Sequence, residues 1–292
     1  MSKLKQQRDD GTLFVVRATE SVTIAKRVLG TGADGLLHHL VFHRSFPLLQ
    51  LLLFIAIWHL VIVEWGLVNR VFFPAPWDVV VAFPELADAD LLYGNLAYSA
   101  RNWLLGYVTA VIFGVLAGAL MGTFRAVDGL LGPLAWSLWA APLIAIRPMT
   151  TIWFGFGATP IVFLVFLSAV FPILLNTATG IKTVDVSLLR AGRVFGASWW
   201  ELYRKVRLPW TRPYVFAGMR TAIPTSVIGL LVGELVGSPK GLGAVIMIAT
   251  SRFKTEQAFA AIVMLVVFSV GMVRLLTFVE RLTAPWIRDD RG

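Results

Sequence analysis

The sequence contains no cysteine, and charged residues fill only 15% of its 292 positions. Disulfides, thiolate metal sites and a thiol nucleophile are thereby excluded. No G-x-x-x-x-G-K-[ST] run occurs either. The stretch SPKGLG, Ser238 to Gly243, has glycines and a lysine in the wrong order and no following Ser or Thr, so the chain carries no phosphate-cradling loop of its own. H-E-x-x-H, G-x-S-x-G and paired carboxylates are missing from the apolar runs, which removes the common membrane hydrolases. The chain is read as a non-enzyme that binds no cofactor itself. Its start lacks a short apolar core followed by a small-residue cleavage site, so the first apolar block is expected to remain in the mature protein.

Apolar residues make up 57% of the chain. They arrive in blocks of about 18 to 25, the length that crosses a hydrocarbon layer of about 30 Å. The blocks are Phe46 to Val68, Trp103 to Thr123, Leu130 to Phe154, Pro160 to Thr179, Tyr214 to Val236 and Phe259 to Phe278. The expectation is an all-α integral membrane protein with six transmembrane helices. A net charge of +9 suggests nucleic acid until the charges are placed. Lys3, Lys5, Arg8, Arg17, Lys26, Arg27 and Arg44 precede the first block. Lys182, Arg190, Arg193, Arg204, Lys205, Arg207 and Arg212 lie between the fourth and fifth, and Arg281, Arg288 and Arg291 follow the sixth. These segments share one side of a six-span chain. The connection after the first block holds Asp78, Glu85, Asp88 and Asp90 against Arg70 alone. By the positive-inside rule both termini and the loop 180–212 are cytoplasmic, and nucleic acid is not needed to explain the charge. Lys240, Arg252 and Lys254 make the link after the fifth block the most basic of the outer ones.

Three regions result: an N-terminal cytoplasmic extension 1–45, a six-span membrane domain 46–285 and a tail 286–292. In the extension His38, His39 and His43 have helical spacing but no nearby acid or cysteine. A helix along the membrane surface explains them better than a metal site.

The longest loop between blocks encodes a helical hairpin. Asp185 caps a helix through Val186 to Phe195, Gly196 supplies a left-handed stop, and Ser198 with Glu201 forms a capping box for a second helix that Pro209 ends. Spacing puts Trp200, Tyr203 and Arg207 on one face of that helix and Trp199, Leu202 and Val206 on the other. Capped helices carrying aromatic and Arg side chains into water suit a protein-docking knob.

Arg190-Ala191-Gly192, Gly196, Val206 and Leu208-Pro209 resemble the cytoplasmic signature of type I ABC importer permeases, in which Glu-Ala-Ala, a Gly and Leu-Pro mark the loop that docks on the ATPase. The runs FFPAPWDVVVAF (Phe72 to Phe83), IWFGFG (Ile152 to Gly157), FPILLNTATGIKTVD (Phe171 to Asp185) and SPKGLG resemble the branch that imports nitrate, bicarbonate, sulfonates and taurine. The resemblance implies a MetI-like, six-span permease in the bacterial cytoplasmic (inner) membrane, beside membrane lipid. Implied partners are a second permease copy as a homodimer, separate ABC ATPase subunits that hold ATP and Mg, and an extracytoplasmic solute-binding protein. It assigns ATPase coupling to Arg190, Ala191, Gly192, Gly196, Ser198, Glu201, Leu208 and Pro209. Two positions depart from it: Arg190 reverses the charge of the usual Glu, and Gly192 replaces Ala, loosening a helical turn by about 1 kcal/mol.

Within the apolar blocks Arg147 stands between Pro142 and Pro148. One reading makes it an anion-attracting group of the translocation path, with Thr150 and Thr151 beside it and Trp139 and Trp153 as walls. The other makes it an interfacial Arg that snorkels. Glu234 is a gate or a structural partner, with structure favoured, while Arg220 and Arg274 are expected to snorkel. Gly114, Gly118 and Gly122 mark a close helix approach, inside one subunit or between two. The alternative to an ATP-driven importer is a secondary anion transporter or channel with a regulatory cytoplasmic loop. Such a protein ordinarily shows intramembrane acid relays or a paired repeat.

The topology is testable because the chain lacks cysteine. Single cysteines at Ser187 and Arg291 should react with a thiol reagent supplied from the cytoplasmic side, and one at Asp88 should not. Labelling of position 88 from inside would end the six-span reading.

Overall fold

The computed structural model describes residues 46–89 and 91–283, which form helices and turns with no strand among the described residues. The extension 1–45 with its histidines, Asp90 and the tail 286–292 lie outside them. The chain divides after Leu67 into two units. In the first, helix α1 (Phe46–His59) runs into a π turn, Leu60–Glu64. Leu51, Leu52, Leu53, Phe54 and Ile57 point to successive sides of the helix, so α1 is apolar round its circumference. It stops short of the predicted Val68.

The second unit contains α2 (Pro76–Asp88), α3 (Tyr93–Thr123), α4 (Arg125–Ala140), α5 (Leu143–Phe154), α6 (Ala158–Lys182), α7 (Val186–Val194), α8 (Trp199–Leu202), α9 (Leu208–Leu235), α10 (Leu242–Ser251) and α11 (Thr255–Thr283). Four helical runs are long and apolar enough to cross a membrane: α3, α6, the run Trp199–Leu235 and α11. The third predicted block is not one straight span. Its halves, α4 and α5, meet at a bend of 105°. Pro142 has no N–H and drives Ala141 into an extended conformation (φ −69°, ψ 137°), so the helix must stop there.

Two further helices occupy stretches expected only as connections. Pro76 starts α2, where the Ala75 N–H donates to Asp78 Oδ2 at 3.0 Å. Val79, Ala82 and Leu86 form its buried face, and the helix packs on α11. The basic link after α9 holds α10, whose first turn is buried.

Helix α6 is the centre of the unit. Gly106, Ala110, Gly114, Gly118 and Gly122 recur every fourth residue along α3, and this stripe lies against α6. A Cβ on Gly118 would stand 2.5 Å from the Leu174 carbonyl oxygen. On the opposite side, Gly218, Gly229 and Gly233 of α9 approach α6 as closely. The small-residue pattern therefore packs within the subunit. In lipid, where tails are as apolar as side chains, this backbone proximity supplies dispersion contact in place of a hydrophobic drive. Trp103 extends the assembly by stacking on Tyr107 at 4.6 Å and meeting Phe268 of α11 edge-on at 5.2 Å.

Gly118→Val should cost about 1–3 kcal/mol of stability through overpacking against a backbone oxygen. Gly129→Ala, where a Cβ meets nothing within 4 Å, should be neutral or gain up to about 1 kcal/mol. Thermal unfolding midpoints in detergent compare the two, and equal shifts would remove the close-packing account.

Candidate functional site

The hairpin between α6 and α9 folds through its caps. Asp185 accepts from the Ser187 N–H at 2.8 Å, and Gly196 closes α7 at φ 80°. The Ser198 N–H donates to Glu201 Oε2 at 3.0 Å while the Glu201 N–H donates back to Ser198 Oγ at 3.3 Å. Pro209 does not end the second helix. After α8 the backbone passes through a π turn, Tyr203–Arg207, and continues as α9 with Pro209 in its first turn. The wider turn accommodates the missing proline N–H, so the hairpin and α9 form one run, Trp199–Leu235.

Leu202 is buried and explains Gly192, since a Cβ there would lie 2.5 Å from Leu202 Cδ2. The departure from Ala makes room for a packed leucine. Trp199 is not on the buried face with Leu202. It is exposed with Trp200, and both rings stack on Tyr203, at 5.4 and 6.0 Å. Phe195 is 89% exposed at the bend. Arg190 and Ala191 are exposed on α7, and Arg190 joins no ion pair among the described residues. Leu208 is exposed at the start of α9. Behind the hairpin, Lys182 pairs with Asp128 of α4, and Arg220, expected to snorkel, pairs with Glu280 of α11.

At the far end of α9 two buried charges face helix ends rather than each other. Glu234 is 0% exposed. Ser99 Oγ donates to its oxygens at 2.8 and 2.9 Å, and the Gly243 N–H donates at 2.9 Å. Ser99 Oγ in turn accepts from the Leu242 N–H at 2.9 Å, and Asn95 Oδ1 from the Gly241 N–H at 2.7 Å. The carboxylate thus occupies the positive end of α10. SPKGLG is the turn that receives it: Gly241 sits at φ 108°, where a Cβ would lie 2.4 Å from the Glu234 carboxyl carbon.

Arg147 on α5 is 2% exposed. Its Nη1 donates to Thr151 Oγ1 at 2.6 Å and to Thr150 Oγ1 at 3.4 Å, while Nη2 donates to the Val236 carbonyl. Val236 is the residue that caps the C-terminus of α9, so the guanidinium stands at that helix's negative end. Of the residues expected around a path, Arg147, Thr150 and Thr151 come together, and the Val236 carbonyl that Arg147 holds is two residues in sequence from Glu234. Trp139 makes its ring contact with Trp136 and none with Arg147 among the described residues. Sequence reasoning missed Asn95, Ser99 and Val236. Asn95, Ser99 and Asn102 lie on one face of α3 at helical spacing, a polar stripe that pattern reading can find. The Val236 carbonyl has no side-chain signal.

Residues 110–288 match a family described as binding-protein-dependent transport system inner membrane component. The chain is 33% identical to the putative aliphatic sulfonates transport permease protein SsuC of Bacillus subtilis (strain 168), covering 82% of this chain and 86% of that one. It is 30% identical to the riboflavin transport system permease protein RibX of Chloroflexus aurantiacus, over 73% and 80%. It is 28% identical to the taurine transport system permease protein TauC of Escherichia coli (strain K12), over 75% and 82%. Among solved structures, an amino acid ABC transporter with histidines shares the fold at TM-score 0.55 and 16% identity, over 70% of this chain and 98% of that one.

The hairpin cap predicts a pH response. The Ser198 N–H bond first, then the Lys205 bond, holds the Glu201 carboxyl down at about 2, against an ordinary 4.5. A depressed carboxylate adds stability that is complete above its unfolded value and is lost as pH falls through the folded one, here between 4.5 and about 2. Amide exchange of residues 199–207, corrected for intrinsic rate, should therefore accelerate only across that window. Glu201→Gln, which removes the titrating carboxylate, should abolish the acceleration. Acceleration across the same window that survives the substitution would show that Glu201 does not set it.

Proposed function

The chain belongs to the family of binding-protein-dependent transport system inner membrane components, and from that premise we propose that this ABC importer permease carries a small anionic solute and takes its motive force from a separate ATPase through the hairpin Asp185–Pro209. The observation that carries the proposal is the aromatic platform of exposed Trp199 and Trp200 stacked on half-buried Tyr203, preceded by exposed Phe195 at the bend and continuous through a single helical run with the far end of α9. A run of 37 residues is about 55 Å long if straight. A shift of the hairpin on a partner therefore reaches Glu234 and Val236 through hydrogen-bonded helix rather than through loops. ATP and Mg belong to the partner, since this chain carries no phosphate loop. The arrangement has the hairpin and both termini in the cytoplasm, a second permease copy completing the path, and a solute-binding protein delivering from outside.

The anionic character of the solute is supported by the sulfonate and taurine relatives and by the fixed charge of Arg147 beside Thr150 and Thr151. The riboflavin relative shows that the family spans more than one chemistry, so the charge preference rests chiefly on Arg147. Family membership favours the ATP-driven reading over a secondary transporter or channel. Arg190, exposed and in no ion pair among the described residues, calls for an acidic residue on the ATPase surface.

The chain, purified gently from membranes, should bring a stoichiometric ATPase with it, and the reconstituted complex should take up a sulfonate supplied with its binding protein only when ATP is present. Gly196→Val places a β-branched residue at positive φ in otherwise open space. It should leave assembly intact yet lower sulfonate transported per ATP about tenfold. Undiminished coupling in an assembled variant would remove the hairpin as the transmission element, and uptake without any ATPase would overturn the importer mechanism.

A further inference from the structure

Arg147 is a buried cation that shares no ion pair among the described residues. Leaving a guanidinium in protein without a counter-charge is expensive, and here neutral dipoles alone offset it. Both threonines are set for the task. Thr150 Oγ1 donates to the Arg147 carbonyl at 2.8 Å and Thr151 Oγ1 lies 3.3 Å from the same carbonyl, which turns their lone pairs toward the guanidinium. The remaining edge is filled differently. Nε and Nη2 form the side on which a carboxylate or sulfonate is gripped by two oxygens at once. In this structure Nη2 holds the single carbonyl oxygen of Val236, and Nε has no hydrogen-bond partner among the described residues.

The seat is shallow on that side. Val236 is 58% exposed and has extended backbone, and Gly237 follows at φ 72°. Parting α5 from the end of α9 uncovers the two-donor edge without opening the core. An oxyanion then competes well, because a hydrogen bond to a charged acceptor is about twice as strong as one to a neutral carbonyl.

We infer that Arg147 is an exchange latch, in which the Val236 carbonyl holds the guanidinium while the path is closed and an oxyanion group of the solute takes over both Nε and Nη2 when it opens. The inference rests on the reading of the chain as a permease for an anionic solute. The latch makes the anion itself the group that relieves the buried charge, so a neutral or cationic solute leaves Arg147 on the carbonyl.

The native absence of cysteine allows a direct test in whole cells containing the complete transporter. Thr150→Cys places a thiol beside the guanidinium at a site that is 0% exposed. A sulfonate-bearing methanethiosulfonate and its trimethylammonium counterpart are compared in energised and de-energised cells. Position 150 should be protected at rest and, during cycling, should react about tenfold faster with the anionic reagent, a local enrichment typical of a fixed charge in a cleft. Adding Arg147→Gln should abolish that preference. Equal rates for the two reagents, a preference that survives Arg147→Gln, or no reaction during cycling overturns the latch. If Thr150→Cys does not insert, Thr151→Cys at the edge of the same seat carries the measurement. Loss of sulfonate uptake by the parent with the charge preference intact would reject the solute and keep the latch, whereas uptake without the preference rejects the latch alone.

Discussion

Two opposite charges, Glu234 on α9 and Arg147 on the Val236 carbonyl two residues further along, are bonded to different helix ends and hold together the end of this unit far from the hairpin. Glu234 supplies the negative charge that the start of α10 lacks, and Arg147 the positive charge that the end of α9 lacks. Each offset is worth at most about 2 kcal/mol on its own. Their joint effect is geometric, because the turn 236–241 is held at both ends and α5 is fixed to α9 across the break at Pro142. Pairing the charges with each other would satisfy both and release all three helices.

The rest of the unit gives that junction something rigid to stand on. Helix α6 lies between the glycine-lined faces of α3 and α9, and such contacts admit little sideways slip because backbone meets side chain directly. Motion is more easily accommodated along the helix axis. The continuous run from Trp199 to Leu235 is suited to carry it, with Pro213 and Pro224 as the places where it can bend. The Arg220 to Glu280 pair ties the same helix to α11 near the hairpin, so α11 follows the lower half of α9.

Much of this was legible in the residues. Asp185, Gly196, Ser198 and Glu201 specify their caps locally, within a few residues, and local rules suffice for them. Gly114, Gly118 and Gly122 announced a close approach but not its partner, since the facing residues are far away in sequence on α6. The start of α3 was hidden because Asn95, Ser99, Arg101 and Asn102 lower the hydropathy of its first turns, and two of those polar residues, Asn95 and Ser99, serve the Glu234 network. The stop expected at Pro209 overlooked a π turn, which has no sequence signal as plain as proline itself. Helix α10 looked like a basic link because Lys240, Arg252 and Lys254 flank an apolar decapeptide that is too short for a span. The Arg147 to Val236 bond ends on a backbone oxygen, and any residue type would have provided that.

The aromatic hairpin also bears on the subunit's life before assembly. Val194 and Phe195 are 85% and 89% exposed, and Trp199 and Trp200 stand beside them, all on a segment whose caps hold it in shape without help. A newly inserted copy therefore presents a sticky, prefolded apolar surface to water for as long as nothing covers it. An exposed apolar patch of this kind is also an aggregation liability, so a copy whose hairpin is uncovered is the one expected to self-associate.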